Sequence, residues 1–164
     1  MRRSVVVRLL GALHGCAVLS QALQALDLSF NAVGPEGTNA LAAWLTECLP
    51  FAPPPLLTRR TNLRALGVAG TNVTWPVLLA ALEQRELRVE SLDVSGNALF
   101  DKAFCLLNPF VAGGHVRHLS IGGMKGDQAM VEGVCASLLL NRNLEECTIV
   151  LDDTPMDCAD REAL

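Results

Sequence analysis

The chain contains no tyrosine, and phenylalanine and tryptophan bring its aromatic content to only 4% of 164 residues. That excludes a core built around a few large rings, so whatever packs inside must be aliphatic. Positive charge is also scarce: 13 Lys and Arg against 17 Asp and Glu leave a formal net charge of -4. Phosphate contacts need a concentrated basic face, and Arg2 with Arg3 or Arg59 with Arg60 are too small to make one. Nucleic acid is therefore not expected as the main partner. Cys16, Cys48, Cys105, Cys135, Cys147 and Cys158 include no CxxC pair; they read as reduced, mostly buried thiols rather than metal or redox ligands. No stretch approaches the ~20 unbroken apolar residues of a membrane span. Paired carboxylates, a nucleophile elbow and a phosphate-cradling loop are lacking too, since Gly113 with Gly114 and Gly122 with Gly123 read as turns. The expectation is no enzyme and no cofactor.

What the sequence does contain is repetition. Residues 1–164 are 51% apolar, enough for one folded body and too many for a disordered chain. Five segments follow the pattern L-x-x-L-x-L-x-x-N-x-L, beginning at Leu23, Leu63, Val89, Val116 and Leu144. Their spacings are 40, 26, 27 and 28 residues, and the long interval contains a proline-rich insertion at 50–62. The alternation within each copy predicts a short strand with one apolar side, and successive copies should stack in parallel. The ninth position should then carry a side chain that bonds backbone where the strand turns away. Asn31 and Asn97 fit it, Thr71 and Asp152 are polar substitutes, and Met124 breaks the ladder.

Between these segments the apolar spacing becomes helical, as in Leu41, Trp44, Leu45, Cys48 and Leu49, or Ala129, Val134, Cys135, Leu138 and Leu139. Pro76 suits the first turn of a helix running to about Gln84, and Gly34 with Gly37 predict a turn before the first complete helix. Residues 5–22 read as the helical half of a coil, and 155–164 begin a helix that soon stops. Neither end has the polar cap of a finished stack, so incomplete coils that need a longer chain or a partner are expected. The compartment is read as cytoplasmic. Alternatively, Arg2, Arg3 and the apolar residues after them make 1–22 a signal segment of a secreted protein.

This pattern resembles the ribonuclease-inhibitor-like class of leucine-rich repeats. The resemblance implies an α/β solenoid, a horseshoe or arc with parallel concave strands, convex helices and about four to five coils. Within that class, the run from Leu92 to Asp101 and the segment from Val116 to Lys125 are similar to the CARMIL family of actin-capping-protein regulators. A Ran GTPase-activating type and the sensor portion of an immune-type receptor are further relatives of this architecture. The implied function is a scaffold or recognition surface for a protein partner.

On the strand alternation, the concave face should display Ala25, Asp27, Ser29, Ala65, Gly67, Ala69, Ser91, Asp93, Ser95, His118, Ser120, Gly122, Glu146, Thr148 and Val150. The partner-binding candidates among them are Asp27, Ser29, Ser91, Asp93, Ser95, His118, Ser120, Glu146 and Thr148. They are small and mildly acidic, and no Trp, Tyr or Arg anchor occupies a strand position. Pro50 and Pro53 with Arg59 and Arg60 could form a proline-rich docking peptide, although a plain surface loop is the simpler reading. His115 and His118 fall on opposite sides of a strand and lack a third ligand, so no metal is expected. The acidic run Asp152, Asp153, Asp157 and Asp160 lacks the spacing of a calcium loop. Cys147 stands where the repeat calls for Leu and reads as core. Self-association through the open ends is a further possibility for the partner.

Overall fold

A computed structural model describes residues 5–48, 63–84, 89–97, 101–122 and 128–150. Two helices, α1 (Val5–His14) and α2 (Ala17–Ala22), precede β1 (Ala25–Asp27), and α3 (Gly34–Ala43) follows, running on into a π-helical turn, Trp44–Cys48. Then come β2 (Ala65–Gly67), α4 (Trp75–Gln84), β3 (Ser91–Asp93), α5 (Asp101–Ala112), β4 (His118–Gly122), α6 (Gln128–Leu140) and β5 (Glu146–Val150). The five strands form one parallel sheet in the order β1-β2-β3-β4-β5. A parallel neighbour requires a crossover that returns the chain to the same end, and the helix between each pair of strands supplies it.

Register places like residues side by side: Leu26, Leu66, Leu92, Leu119 and Cys147 form one row across the sheet. The four leucines are buried, and Cys147 is partly buried against the same core. Leu28, Val68, Val94 and Ile121 make a second buried row. The helices close this layer in chain order, α1 on α3, α3 on α4, α4 on α5 and α5 on α6, through Leu41, Trp44, Leu45, Leu78, Leu82, Leu107 and Phe110. Each fully buried Leu of this kind contributes about 1.5–3 kcal/mol, which explains how a chain with few rings holds together. Burial and the neighbouring Cys135 push the Cys147 thiol up, as befits a packed side chain.

Helix α4 begins where the sequence predicts, with Pro76 in its first turn. Three expectations need correction. Gly37 lies inside α3 rather than in a turn; an added Cβ would stand 2.8 Å from Val33 Cγ1, so the position requires a small residue for close packing. Leu139 is 87% exposed although Val134 in the same helix is buried, because 13 residues of α6 turn part of their apolar surface away from α5. Ala69 and Gly122, expected on the open face, are buried: Ala69 is too small to stand above its flanking neighbours. The insertion at 50–62, Leu49, Met124 and residues 151–164 lie outside the described residues. Among the described residues no helix is long and apolar enough to cross a membrane.

Candidate functional site

The side of the sheet away from the helices is where the sequence candidates meet. Ala25, Ala65, Ser91, His118 and Glu146 align in one row, and Asp27, Gly67, Asp93, Ser120 and Thr148 in the next. Neighbouring strands are about 4.8 Å apart, so residues tens of positions apart in sequence become lateral neighbours. All nine candidates reach solvent, with Asp27, Glu146 and Thr148 the most open.

Short hydrogen bonds fix this surface. The Ser29 amide donates to Asp27 Oδ1 at 2.9 Å, and the Ser95 amide repeats the bond to Asp93 at 3.0 Å. Ser29 Oγ accepts from the Ala69 amide at 3.1 Å, joining β1 to the next coil, and the Ser95 and Ser120 hydroxyls share a bond of 3.0 Å. Gly67 is required beneath Asp27: an added Cβ would lie 2.5 Å from its Oδ1 and 3.0 Å from Ser29 Oγ. The Asp27 carboxylate therefore leans over β2, towards the row position of Asp93.

The Ser29 hydroxyl and then the Ser29 amide hold the Asp27 pKa below its ordinary value, against a smaller opposing effect of burial. A depressed folded-state pKa stabilises above the unfolded value, and that contribution is lost as pH falls through the folded one. Asp27 should thus add acid sensitivity below about pH 4. Because the carboxylate faces water, the expected effect is no more than about 0.5 kcal/mol. Denaturant midpoints from pH 6 to pH 2 for wild type and Asp27→Asn check this; parallel curves would show that Ser29 does not hold the charge.

At the other side of the face, His118 Nδ1 lies 3.4 Å from Glu146 and Nε2 lies 3.7 Å from Glu145, while Arg117 pairs with Glu145 at 3.3 Å. His115 is not beside this group in function: its ring stacks on Phe110 with centroids 5.0 Å apart. The two histidines are thus employed separately. Among the described residues no cluster of three or more His, Cys, Asp or Glu could hold a metal ion.

Beyond the strands, the turn is built by the ninth-position ladder. Asn97 Nδ2 donates to the carbonyls of Val68 and Val94, and its Oδ1 accepts from the Thr71 and Asn72 amides. Thr71 Oγ1 donates chiefly within its own coil, to Val68 at 2.6 Å, with a longer contact of 3.4 Å to Asn97 Oδ1, whereas among the described residues the Asn31 side chain bonds only Leu28 and Ser29. A second asparagine link was not read from the sequence: Asn141, just after α6, donates to the Val116 carbonyl at 3.0 Å and is buried. Its signal was available, a polar residue closing an apolar helix three positions before the next repeat leucine.

Sequence reasoning also passed over Phe30. It stands in the turn after the first strand, three residues past Asp27, and is 85% exposed, with φ of 59°. The equivalent residues of the next two coils are Gly70 and Gly96, at φ of 59° and 64°. This left-handed conformation suits glycine and strains a bulky residue. The backbone ladder imposes it, since Phe30 donates to Ala69, Gly70 to Ser95 and Gly96 to Gly122. The clue in the sequence was a Phe where the aligned copies carry Gly.

Comparison with known families adds one finding. Residues 20–42, which span the first repeat copy with β1 and most of α3, match a family model described as a leucine-rich repeat. No curated protein matches the chain.

Proposed function

We propose that the chain is a protein-interaction module: a leucine-rich-repeat solenoid of four to five coils, of the ribonuclease-inhibitor-like class, that holds a protein partner on the open, concave face of its sheet. The observation that supports this most is the register. It assembles Asp27, Ser91, Asp93, His118, Ser120, Glu146 and Thr148 from four separate coils into two solvent-facing rows. Strands hydrogen-bonded into one sheet give such a surface little freedom to lose, so binding orders little chain. The same reading makes the chain a binder rather than an enzyme. It also places it in a reducing compartment, in keeping with free thiols at Cys16, Cys135 and Cys147.

The test is affinity capture from a lysate with wild type beside an Asp27→Lys, Asp93→Lys, Glu146→Lys variant. Charge reversal should weaken capture of the specific partner by about tenfold or more while leaving the melting curve cooperative. A partner retained equally by both proteins would remove the sheet face from consideration. The finer readings separate by what is caught and done: capping protein for the CARMIL-like reading, and stimulated GTP hydrolysis by Ran for the GTPase-activating one. An immune-type sensor would instead show further domains in its full-length transcript.

A further inference from the structure

We propose that Phe30, with the Asp27 and Asp93 carboxylates, forms a docking patch for an extended partner segment that presents an arginine side chain; this rests on the sheet-face reading above and names the partner's chemistry.

The argument starts from space. The second coil carries glycine at both positions next to the first coil's large side chains. The Asp27 carboxylate leans over Gly67, and the Phe30 ring leans over Gly70, its Cδ1 3.1 Å from where a Cβ would be. Carboxylate and ring are thereby tilted the same way, onto the strip between β1 and β3. Asp93 borders that strip from the far side, in register with Gly67. The result is an open aromatic ring on the same strip as two carboxylates, three positions further along the chain than Asp27; the other described ring on this face, the His118 imidazole, lies against Glu145 and Glu146.

Charge decides the occupant. The described arginines on this side, Arg64 and Arg117, stand at the opposite, N-terminal ends of their strands, and Arg117 is already paired with Glu145. The C-terminal ends, where the patch lies, are acidic. A guanidinium is planar, stacks on a ring face and forks to carboxylates, so it satisfies ring and acids together. A neutral apolar side chain would cover the ring and leave both carboxylates beside a dry surface, which costs free energy. Phe30 also keeps a left-handed conformation that glycine would relieve.

The experiment selects random displayed dodecapeptides on wild type, Phe30→Gly, and Asp27→Asn with Asp93→Asn. Phe30→Gly places in the first coil the residue that Gly70 and Gly96 already show to be compatible, so its melting temperature should be unchanged or higher. Wild type should enrich arginine at least about threefold over the input library, a level set by a single ion-pair and stacking contact. Neither variant should show that enrichment. Peptides selected without cationic preference but lost by Phe30→Gly would overturn the arginine assignment and leave the face reading standing. Peptides retained by both variants, or none selected by wild type, would overturn the patch; retention also by the triple lysine variant would remove the face reading with it.

Discussion

Asn97→Ala should lower stability by about 3–5 kcal/mol, read as a shift in the urea midpoint at constant slope. Asn97 is 3% exposed, and its amide serves two coils at once. Truncation leaves the amides of Thr71 and Asn72, and the carbonyl of Val68 in the neighbouring coil, without the partner they had at 3.0, 3.1 and 2.7 Å. The Val68 carbonyl keeps the Thr71 hydroxyl, but each of the two amides left unpaired costs about 1–3 kcal/mol, and a small cavity adds to the loss. The control is Asn31→Ala, chemically the same change. Asn31 is exposed, and among the described residues its side chain bonds only its own coil, so its loss should cost about 1 kcal/mol or less. Equal losses at both positions would mean that the inter-coil bonds are not what makes Asn97 matter.

Trp44→Ala should cost a similar amount, about 3–5 kcal/mol, and its damage should be local. The indole is fully buried in the π-helical turn that continues α3. Its Nε1 donates to Ser20 Oγ at 2.9 Å, and Ser20 Oγ donates to the Leu13 carbonyl at 2.6 Å. One ring thus ties both N-terminal helices to the body. Hydrogen exchange should quicken across residues 5–22 in the variant while the amides of β2 to β4 stay protected. Trp44→Phe keeps most of the volume but leaves the Ser20 hydroxyl without its donor, so about 1–2 kcal/mol is expected. Uniform loss of protection along the whole chain would show instead that α1 and α2 do not open separately.

Much of this could be read from the residues. The alternation around Leu26, Leu66, Leu92 and Leu119 gives the strands, and the near-constant spacing of the copies gives their sequential pairing. Asn97 could be assigned its task because its offset from the strand is fixed within one short motif. Other features could not be read this way. Leu139 and Val134 look equivalent in a helical pattern, yet only one meets α5. Asn31 and Asn97 occupy the same motif position, but Asn97 reaches back to the preceding coil, whereas the described residues before β1 provide helices and no strand.

The sequence by itself therefore determined the α/β class, the strand positions and the residues that share a row, because strand alternation and motif offset are local properties carried along the backbone. Only the tertiary structure decided which equivalent side chains are buried, that Gly37 is a packing position, and that Phe30 leans over Gly70 while Asp27 leans over Gly67. Those outcomes depend on what the adjacent coil places opposite each residue, and the spacing within a single repeat carries no record of its neighbour's volume.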